Sequence, residues 1–184
     1  HESLSQVLRL RDEIGLGAVL DLRGQMEIRP ERVAFLKGVE IGYHNISLEG
    51  DNASAAPEAH FFSSFSNMGE FYLFMLRNEG FNRQLVKAME VVADAANHPV
   101  LFHCTVGKYR TGILAAFVLE VIGVRDEDIV ADYALTAPAM PAFIERMKAD
   151  PKTVPMVTGL PDFFWEASPE SMEVLLGTLR REHG

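Results

Sequence analysis

The chain contains a single cysteine, Cys104, and an arginine, Arg110, follows it after five intervening residues. A cysteine thiolate is a nucleophile that forms covalent intermediates. An arginine guanidinium presents a planar fork of donors that matches the oxygens of a phosphate group. We interpret the two residues as the nucleophile and the oxyanion clamp of phosphate-ester chemistry.

The neighbouring residues fit this interpretation. Backbone N–H groups that converge at a helix N-terminus bind a tetrahedral oxyanion, and Gly107 permits the backbone geometry of such a loop. Thr111 is expected to donate its hydroxyl to the sulfur, and His103 to organise the loop. A buried, inert cysteine is the plain alternative, but it does not account for the arginine or for the Thr-Gly pair after it. The predicted substrate-binding residues are Thr105, Val106, Gly107, Lys108 and Tyr109.

The elements that must position this loop are a strand before it and a helix after it. Apolar runs predict a buried strand over 100–102 and a buried helix over 111–123. Because strands come mostly early and helices mostly late, the pattern predicts an α/β fold with a parallel sheet flanked by helices. Further strands are expected over 17–22 and 39–48, and further helices over 3–13, 81–96, 126–135, 141–148 and from Ser168.

Composition limits the class of protein. Seventeen Lys and Arg residues against 26 Asp and Glu residues give a net charge of −9, which argues against a broad nucleic-acid-binding face. A length of 184 residues predicts one domain over 1–184. The longest apolar run, 112–124, is too short to span a bilayer. The sequence contains no Cys/His cluster with the spacing of a metal site. We therefore expect neither a metal nor another cofactor.

The start of the chain bears on location. No signal-peptide pattern is present, so we expect a cytoplasmic protein, and secretion stays open. The first residue is His rather than Met, which indicates that a preceding segment is missing or trimmed.

The run from His103 to Gly112, HCTVGKYRTG, resembles the signature of the cysteine-dependent tyrosine phosphatases, which is His-Cys, five residues, Arg, then Ser or Thr. It is most similar to the bacterial and fungal tyrosine/serine phosphatase branch, whose loops commonly read HCxAGKDRTG. The resemblance extends from about residue 3 to 184. It also rests on Asp21-Leu22-Arg23 with Glu27, on DYALT at 132–136 and on ASPESM at 167–172.

This resemblance implies the tyrosine-phosphatase fold, a central mostly parallel sheet with helices on both faces. It implies metal-independent hydrolysis of phosphate monoesters through a cysteinyl-phosphate, most simply by a protein-tyrosine phosphatase of dual specificity. The alternatives are a phosphoinositide phosphatase and a phosphate-binding module with weak turnover. The expected partner is a phosphorylated protein or a phosphoinositide, without nucleic acid or stable membrane insertion. The oligomeric state stays open.

Two loop residues each allow two interpretations. Tyr109 stands where the family often has Asp, which is regarded as a proton donor there. Tyrosine, with an ordinary pKa near 10, replaces that function poorly, so Tyr109 either packs the loop or lines the pocket. Lys108 is either a solvated charge or a positive charge at the pocket rim, as in phosphoinositide-hydrolysing relatives.

The leaving oxygen needs a proton, and a positioned acid contributes about 10²–10⁴-fold to the rate. Asp51, in the polar loop after the second predicted strand, is the first candidate, and a solvated loop carboxylate is its plain alternative. Glu49 is the second candidate. Asp21 is the third, because its place in a strand suits it better to orient Arg23.

The segment 58–76 is rich in aromatic residues. Such residues usually pack in a core, and we expect that here. A mobile lid over the phosphate site is the alternative.

Overall fold

The structure is a computed structural model that describes residues 4–50, 59–151 and 153–183. It has a mixed α/β fold. The strands in this part of the chain are β1 (Ala18–Asp21), β2 (Gly42–Asn45) and β3 (Val100–His103). The helices in this part are α1 (Leu4–Ile14), α2 (Pro30–Gly38), α3 (Ala59–Phe62), α4 (Met68–Leu76), α5 (Glu79–Ala93), α6 (Tyr109–Val121), α7 (Asp126–Ala134), α8 (Met140–Ala149), α9 (Val154–Gly159) and α10 (Pro169–His183).

The three strands form one parallel sheet in the order β2-β1-β3. In this register Asp21 at the end of β1 lies beside Asn45 of β2 and His103 of β3. All three strands therefore end at the same edge, which is where parallel α/β sheets bind ligands. The predicted α/β fold with a parallel sheet is confirmed.

The central strand β1 is buried along its whole length. Val19 belongs to a buried cluster with Val7 of α1 and Ile41, the residue before β2. Leu20 faces the opposite side of the sheet, because side chains alternate along a strand, and it has no exposed surface. Both sides of β1 are therefore covered, as expected for a strand of a parallel sheet.

The described residues group into two compact units. The first lies within 1–54 and 79–114 and contains the sheet, and the second lies within 55–78 and 115–184. The single domain expected from the length stays a prediction. None of the helices in the described part of the chain is long and apolar enough to cross a membrane.

Helix α10 is central to the second unit, where it packs against α4 and α7. Phe62 and Phe71 are buried, with ring centroids 5.2 Å apart, and the ring of Phe164 lies 4.8 Å from that of Phe62. The buried hydroxyls of Tyr72 and Tyr133 are 2.7 Å apart. The described part of the aromatic segment thus contributes to a core, as expected from its composition.

Two sequence expectations differ from the observed elements. The strand expected over 39–48 extends only from Gly42 to Asn45, because residues 39–41 still bond back to the end of α2 and the chain turns through Ser47 to Gly50. Four of the described helices, α2, α3, α4 and α9, were not among the predicted elements. Helix α2 begins with Pro30 in its first turn, where proline is favourable because the missing N–H has no helical partner.

The close approach of α4 and α10 depends on Gly69. A Cβ at this position would lie 2.3 Å from the backbone oxygen of Ser171 and 2.8 Å from Cβ of Val174. Gly177 of α10 offers a matched comparison, since its added Cβ would meet only the end of the Arg181 side chain, at 3.5 Å.

We expect Gly69→Ala to lower the free energy of unfolding by about 1–3 kcal/mol, because the extra methyl group overpacks the interface between the two helices. Gly177→Ala is expected to leave the stability unchanged or to raise it by up to about 1 kcal/mol, because alanine favours helix interiors. Urea unfolding of the two variants and the parent measures the difference. Equal stability of Gly69→Ala and the parent would contradict the observed packing.

Candidate active site

The loop that contains Cys104 connects β3 to α6 at the carboxyl edge of the sheet. The N–H of Leu22 donates to the carbonyl of His103 at 2.9 Å, which extends the pairing of β1 and β3 up to the loop. Gly107 has a φ of +78°, a left-handed conformation that is costly for residues with a side chain. The predicted strand, loop and helix are therefore present, with glycine at the position where the turn requires it.

The sulfur of Cys104 is buried at the start of α6, and its residue is 6 % exposed. The N–H of Gly107 donates to Sγ at 3.2 Å. Burial by itself raises the pKa of this thiol. The Thr111 hydroxyl, the charge of Arg110 and the N–H groups of Thr111 and Gly107 outweigh burial, so the pKa lies below its ordinary value.

The hydroxyl of Thr111 is available to the sulfur. Its Oγ1 is buried and has no other hydrogen-bond partner of ordinary geometry among the described residues. The structure thus brings together Cys104, Arg110 and Thr111, the three residues predicted to share this loop.

Arg110 is 8 % exposed and is held by a carboxylate from another part of the chain. Its Nη1 and Nη2 donate to the two carboxylate oxygens of Glu27 at 2.6 and 3.0 Å. Burial is the largest influence and lowers the pKa of Arg110, but Glu27 and Glu49 outweigh it and raise the pKa overall. The Nε of Arg110 is buried without a partner in the described part of the chain, so it retains a donor for an oxyanion.

Glu27 is anchored by several donors besides Arg110. The Thr105 hydroxyl and the N–H of Gly24 also donate to its carboxylate. Burial raises the pKa of Glu27, but the hydrogen bonds from Arg110 and Thr105 outweigh this effect and lower the pKa to about 2. Glu27 is therefore a carboxylate anion at neutral pH.

Glu49 is a second carboxylate beside Arg110, in the turn after β2. Its Oε2 lies 3.7 Å from Nη1 of Arg110. Burial is the largest influence on Glu49 and raises its pKa. Arg110 acts against burial and Glu27 acts with it, and the pKa remains raised.

Asp21 lies at the end of β1, beside His103 at the end of β3. It is 1 % exposed and accepts hydrogen bonds from the Arg23 side chain, at 2.9 and 2.7 Å, and from the Tyr43 hydroxyl, at 3.1 Å. His103 lies with Nε2 3.9 Å from Asp21 and with Nδ1 3.0 Å from the carbonyl oxygen of Cys104. The expected pairing of Asp21 with Arg23 is thus observed, and the loop-organising role of His103 stays a prediction.

The two loop residues with two interpretations each, Tyr109 and Lys108, have different surroundings. Tyr109 stacks on Phe81, with ring centroids 6.5 Å apart and planes 10° from parallel, which favours loop packing. Burial, and then Glu49, raises the pKa of Tyr109. Lys108 is 3 % exposed, so it is not the solvated charge of the first interpretation.

Several sequence predictions have other outcomes. Asp51, the first candidate for the acid, lies outside the described residues, and its role stays a prediction. Val106 is part of the loop at intermediate exposure. The sequence reasoning missed the pairing of Glu27 with Arg110. The available signal was that a buried arginine needs an anion, although the sequence does not indicate which one.

A cysteine with a lowered pKa and an arginine, in one loop between a parallel strand and a helix, are features of the class of cysteine-dependent phosphatases. Comparison with known proteins identifies the family. The family model described as the tyrosine phosphatase family matches residues 3–184. This chain therefore belongs to the tyrosine phosphatase family, within the cysteine-dependent tyrosine phosphatase superfamily.

Individual relatives agree with this assignment. A tyrosine-protein phosphatase of Nostoc commune is 31 % identical over 125 residues, which is 67 % of this chain and 41 % of that protein. The triple specificity protein phosphatase PtpB of Mycobacterium tuberculosis is 40 % identical over 78 residues, or 42 % of this chain and 27 % of that protein. The chain thus spans less than half the length of these curated relatives.

The fold also resembles a solved structure. The core catalytic domain of the PP-IP phosphatase SIW14 from S. cerevisiae, in complex with citrate, superposes with a TM-score of 0.50 at 24 % identity. The match covers 74 % of this chain and 67 % of that chain. This likeness supports the fold.

Replacing the Thr111 hydroxyl tests its effect on the thiol. We expect Thr111→Val to raise the pKa of Cys104, because the thiolate loses a hydrogen-bond donor. The pH dependence of iodoacetamide alkylation reports this pKa directly, since Cys104 is the only thiol in the chain. The parent should show a midpoint below the ordinary thiol range.

Thr105→Val is the matched control in the same loop, because the Thr105 hydroxyl bonds to Glu27. Its midpoint should stay closer to that of the parent. Equal midpoints for the two variants would count against the assigned contact between Thr111 and the sulfur.

Replacing Glu27 tests its contribution to stability. Its pKa falls from an ordinary value of 4.5 to about 2 in the folded protein, so the carboxylate stabilises the folded state above about pH 4.5 and loses this effect as the pH falls toward 2. We expect Glu27→Gln to be less stable than the parent at neutral pH, by a difference that shrinks on acidification.

Urea unfolding of Glu27→Gln and the parent from pH 7 to acid measures this difference. Glu31→Gln, at an exposed position in α2, is the control and should differ little from the parent. A deficit in Glu27→Gln that does not depend on pH would contradict the ion pair.

Proposed function

We propose that this protein hydrolyses phosphate monoesters through a cysteinyl-phosphate intermediate. We propose further that it is a protein-tyrosine phosphatase of dual specificity, with phosphotyrosine residues of proteins as its foremost substrates. One observation carries the proposal. The sulfur of Cys104 accepts an N–H bond from its own loop and has a lowered pKa at the start of a helix whose first turn contains the buried Arg110. A thiol that ionises more readily than usual and a buried guanidinium are thus held in one strand–loop–helix unit.

The first step is attack by the Cys104 thiolate on phosphorus. A sulfur–phosphorus bond forms, the bond from phosphorus to the ester oxygen breaks, and the leaving oxygen takes a proton. Arg110 and the N–H groups of the loop stabilise the charge on the phosphoryl oxygens. The donor left on Arg110, its buried Nε, supports this role.

In the second step, water attacks phosphorus and the sulfur–phosphorus bond breaks. Inorganic phosphate forms and Cys104 returns to the thiolate. The Thr111 hydroxyl stabilises the departing sulfur, which its burial beside Cys104 supports. The remaining loop residues, Thr105 to Tyr109, frame the phosphate through their backbone.

The part of the substrate that carries the phosphate group is inferred from the family and not from the geometry of the loop. A phosphorylated protein is the expected partner, and a phosphoinositide is the alternative. The burial of Lys108 weakens the argument that placed this charge at the rim for a lipid headgroup. A cytoplasmic location is part of the same proposal.

Hydrolysis of para-nitrophenyl phosphate in the presence of a chelator tests the proposed function. We expect phosphate release by the parent and none by Cys104→Ser, because the serine hydroxyl is not ionised at neutral pH and is a much weaker nucleophile than a thiolate. Circular dichroism of both proteins controls for folding. Phosphotyrosyl peptide and phosphoinositide vesicles, compared under the same conditions, distinguish the two substrate classes.

The absence of any Cys104-dependent release would leave the phosphate-binding module as the function. In that case the parent would still bind phosphate or vanadate but would not turn over the ester.

A further inference from the structure

Two carboxylates lie beside the guanidinium of Arg110, and they differ in their contacts with it and in the direction of their pKa shifts. Glu27 engages both Nη atoms, at 2.6 and 3.0 Å. Glu49 approaches only Nη1, at 3.7 Å. Pairs of carboxyl groups whose surroundings separate their pKa values are a common source of acid and base assignments in enzymes.

Glu27 cannot serve as a proton donor near neutral pH. Its pKa is lowered to about 2, and Thr105, Gly24 and Arg110 all donate to its oxygens. Each of these bonds stabilises the anion. Glu27 is therefore suited to hold Arg110 in place, without exchanging a proton.

Tyr109 is also a poor donor, although it stands at the family's aspartate position. Burial raises the pKa of its hydroxyl well above the ordinary value. An effective acid has a pKa near the working pH. The stacking on Phe81 instead fixes Tyr109 as a packed residue.

Among the described carboxylates beside Arg110, Glu49 lies close to the guanidinium without the paired hydrogen bonds that hold Glu27. The turn that carries Glu49 is fixed, because Leu48 is fully buried, the N–H of Gly50 donates to the carbonyl of Ser47 at 3.2 Å and the Ser47 hydroxyl donates to Gly50 at 3.2 Å. Its side chain remains 34 % exposed, so the carboxyl group reaches both the buried cation and solvent.

The charges that face Glu49 come from two directions. Arg110 and Tyr109 face it from α6, and Glu27 faces it from the turn after β1. Burial and Glu27 raise its pKa and Arg110 opposes them, with a net rise. This is the direction that favours the protonated acid.

We propose that Glu49 is the proton donor to the leaving oxygen, an assignment that rests on the proposed function. In the first step the carboxylic acid of Glu49 gives its proton to the ester oxygen as the bond from phosphorus breaks, and Glu49 becomes a carboxylate. In the second step this carboxylate takes a proton from the attacking water. The acid is restored when phosphate and the Cys104 thiolate are released.

Leaving-group dependence tests this role. Phosphotyrosine leaves as a phenol with a pKa of about 10 and needs a proton, whereas an aryl phosphate with a strongly acidic phenol does not. We expect Glu49→Gln to lower kcat/KM for a phosphotyrosyl peptide by about 10²–10⁴-fold and to change it little for the acidic phenol. Glu49→Asp, which keeps a carboxyl group, should recover part of the loss on the peptide.

Asp51→Asn is the matched comparison, since Asp51 follows Glu49 by two positions in the sequence. A loss that depends on the leaving group in Asp51→Asn and not in Glu49→Gln would overturn the proposal in favour of Asp51. A loss in Glu49→Gln that is equal for all leaving groups would also overturn it, because that pattern indicates an effect on phosphate binding through Arg110.

The rate with the acidic phenol reports folding of each variant in the same assay. No Cys104-dependent turnover of either substrate by the parent would overturn the proposed function itself, and the role of Glu49 with it. Turnover by the parent with an unaltered leaving-group dependence in Glu49→Gln would overturn only the role of Glu49.

Discussion

The ion pair between Glu27 and Arg110 is the interaction on which the candidate site depends. A guanidinium that is 8 % exposed needs an anion nearby, and Glu27 supplies both carboxylate oxygens. Glu27 follows β1 and Arg110 follows β3, so the pair joins the segments that leave two adjacent parallel strands. Because Thr105 donates to the same carboxylate, one acidic residue contacts both ends of the loop between β3 and α6.

The charge distribution around Arg110 follows from this arrangement. Against the effect of burial, the Thr111 hydroxyl and the buried cation of Arg110 together lower the pKa of the Cys104 thiol. The same cation supports a Glu27 that stays ionised and only partly offsets the burial of Glu49. Shifts of opposite sign within one small cluster are typical of catalytic sites. Asp21 adds a third carboxylate, which is 1 % exposed and bonds to Arg23 and Tyr43; these bonds favour a structural place for it.

The residues that could be predicted are those whose chemistry demands a fixed local spacing. Cys104, Arg110 and Thr111 lie within eight consecutive positions of one strand–loop–helix unit, and the apolar strand before them was predicted to within one residue. Glu27 lies 83 positions from Arg110, and no local pattern indicates which acidic residue will complete a buried pair. Lys108 was expected at the surface or the rim, yet the compact turn buries it. Burial of a charged side chain depends on tertiary packing, which periodicity does not report.

The lowered thiol pKa has a consequence for redox chemistry. Thiolates oxidise more readily than thiols, and a sulfenic acid is normally rescued by condensing with a neighbouring thiol. This chain offers no second cysteine to Cys104. An oxidised sulfur must therefore be recovered by a thiol from another molecule, or by condensation with a backbone nitrogen, before it reaches the irreversible sulfinic state. The same surroundings that lower the pKa of Cys104 thus make its reduced state depend on a supply of external reductant.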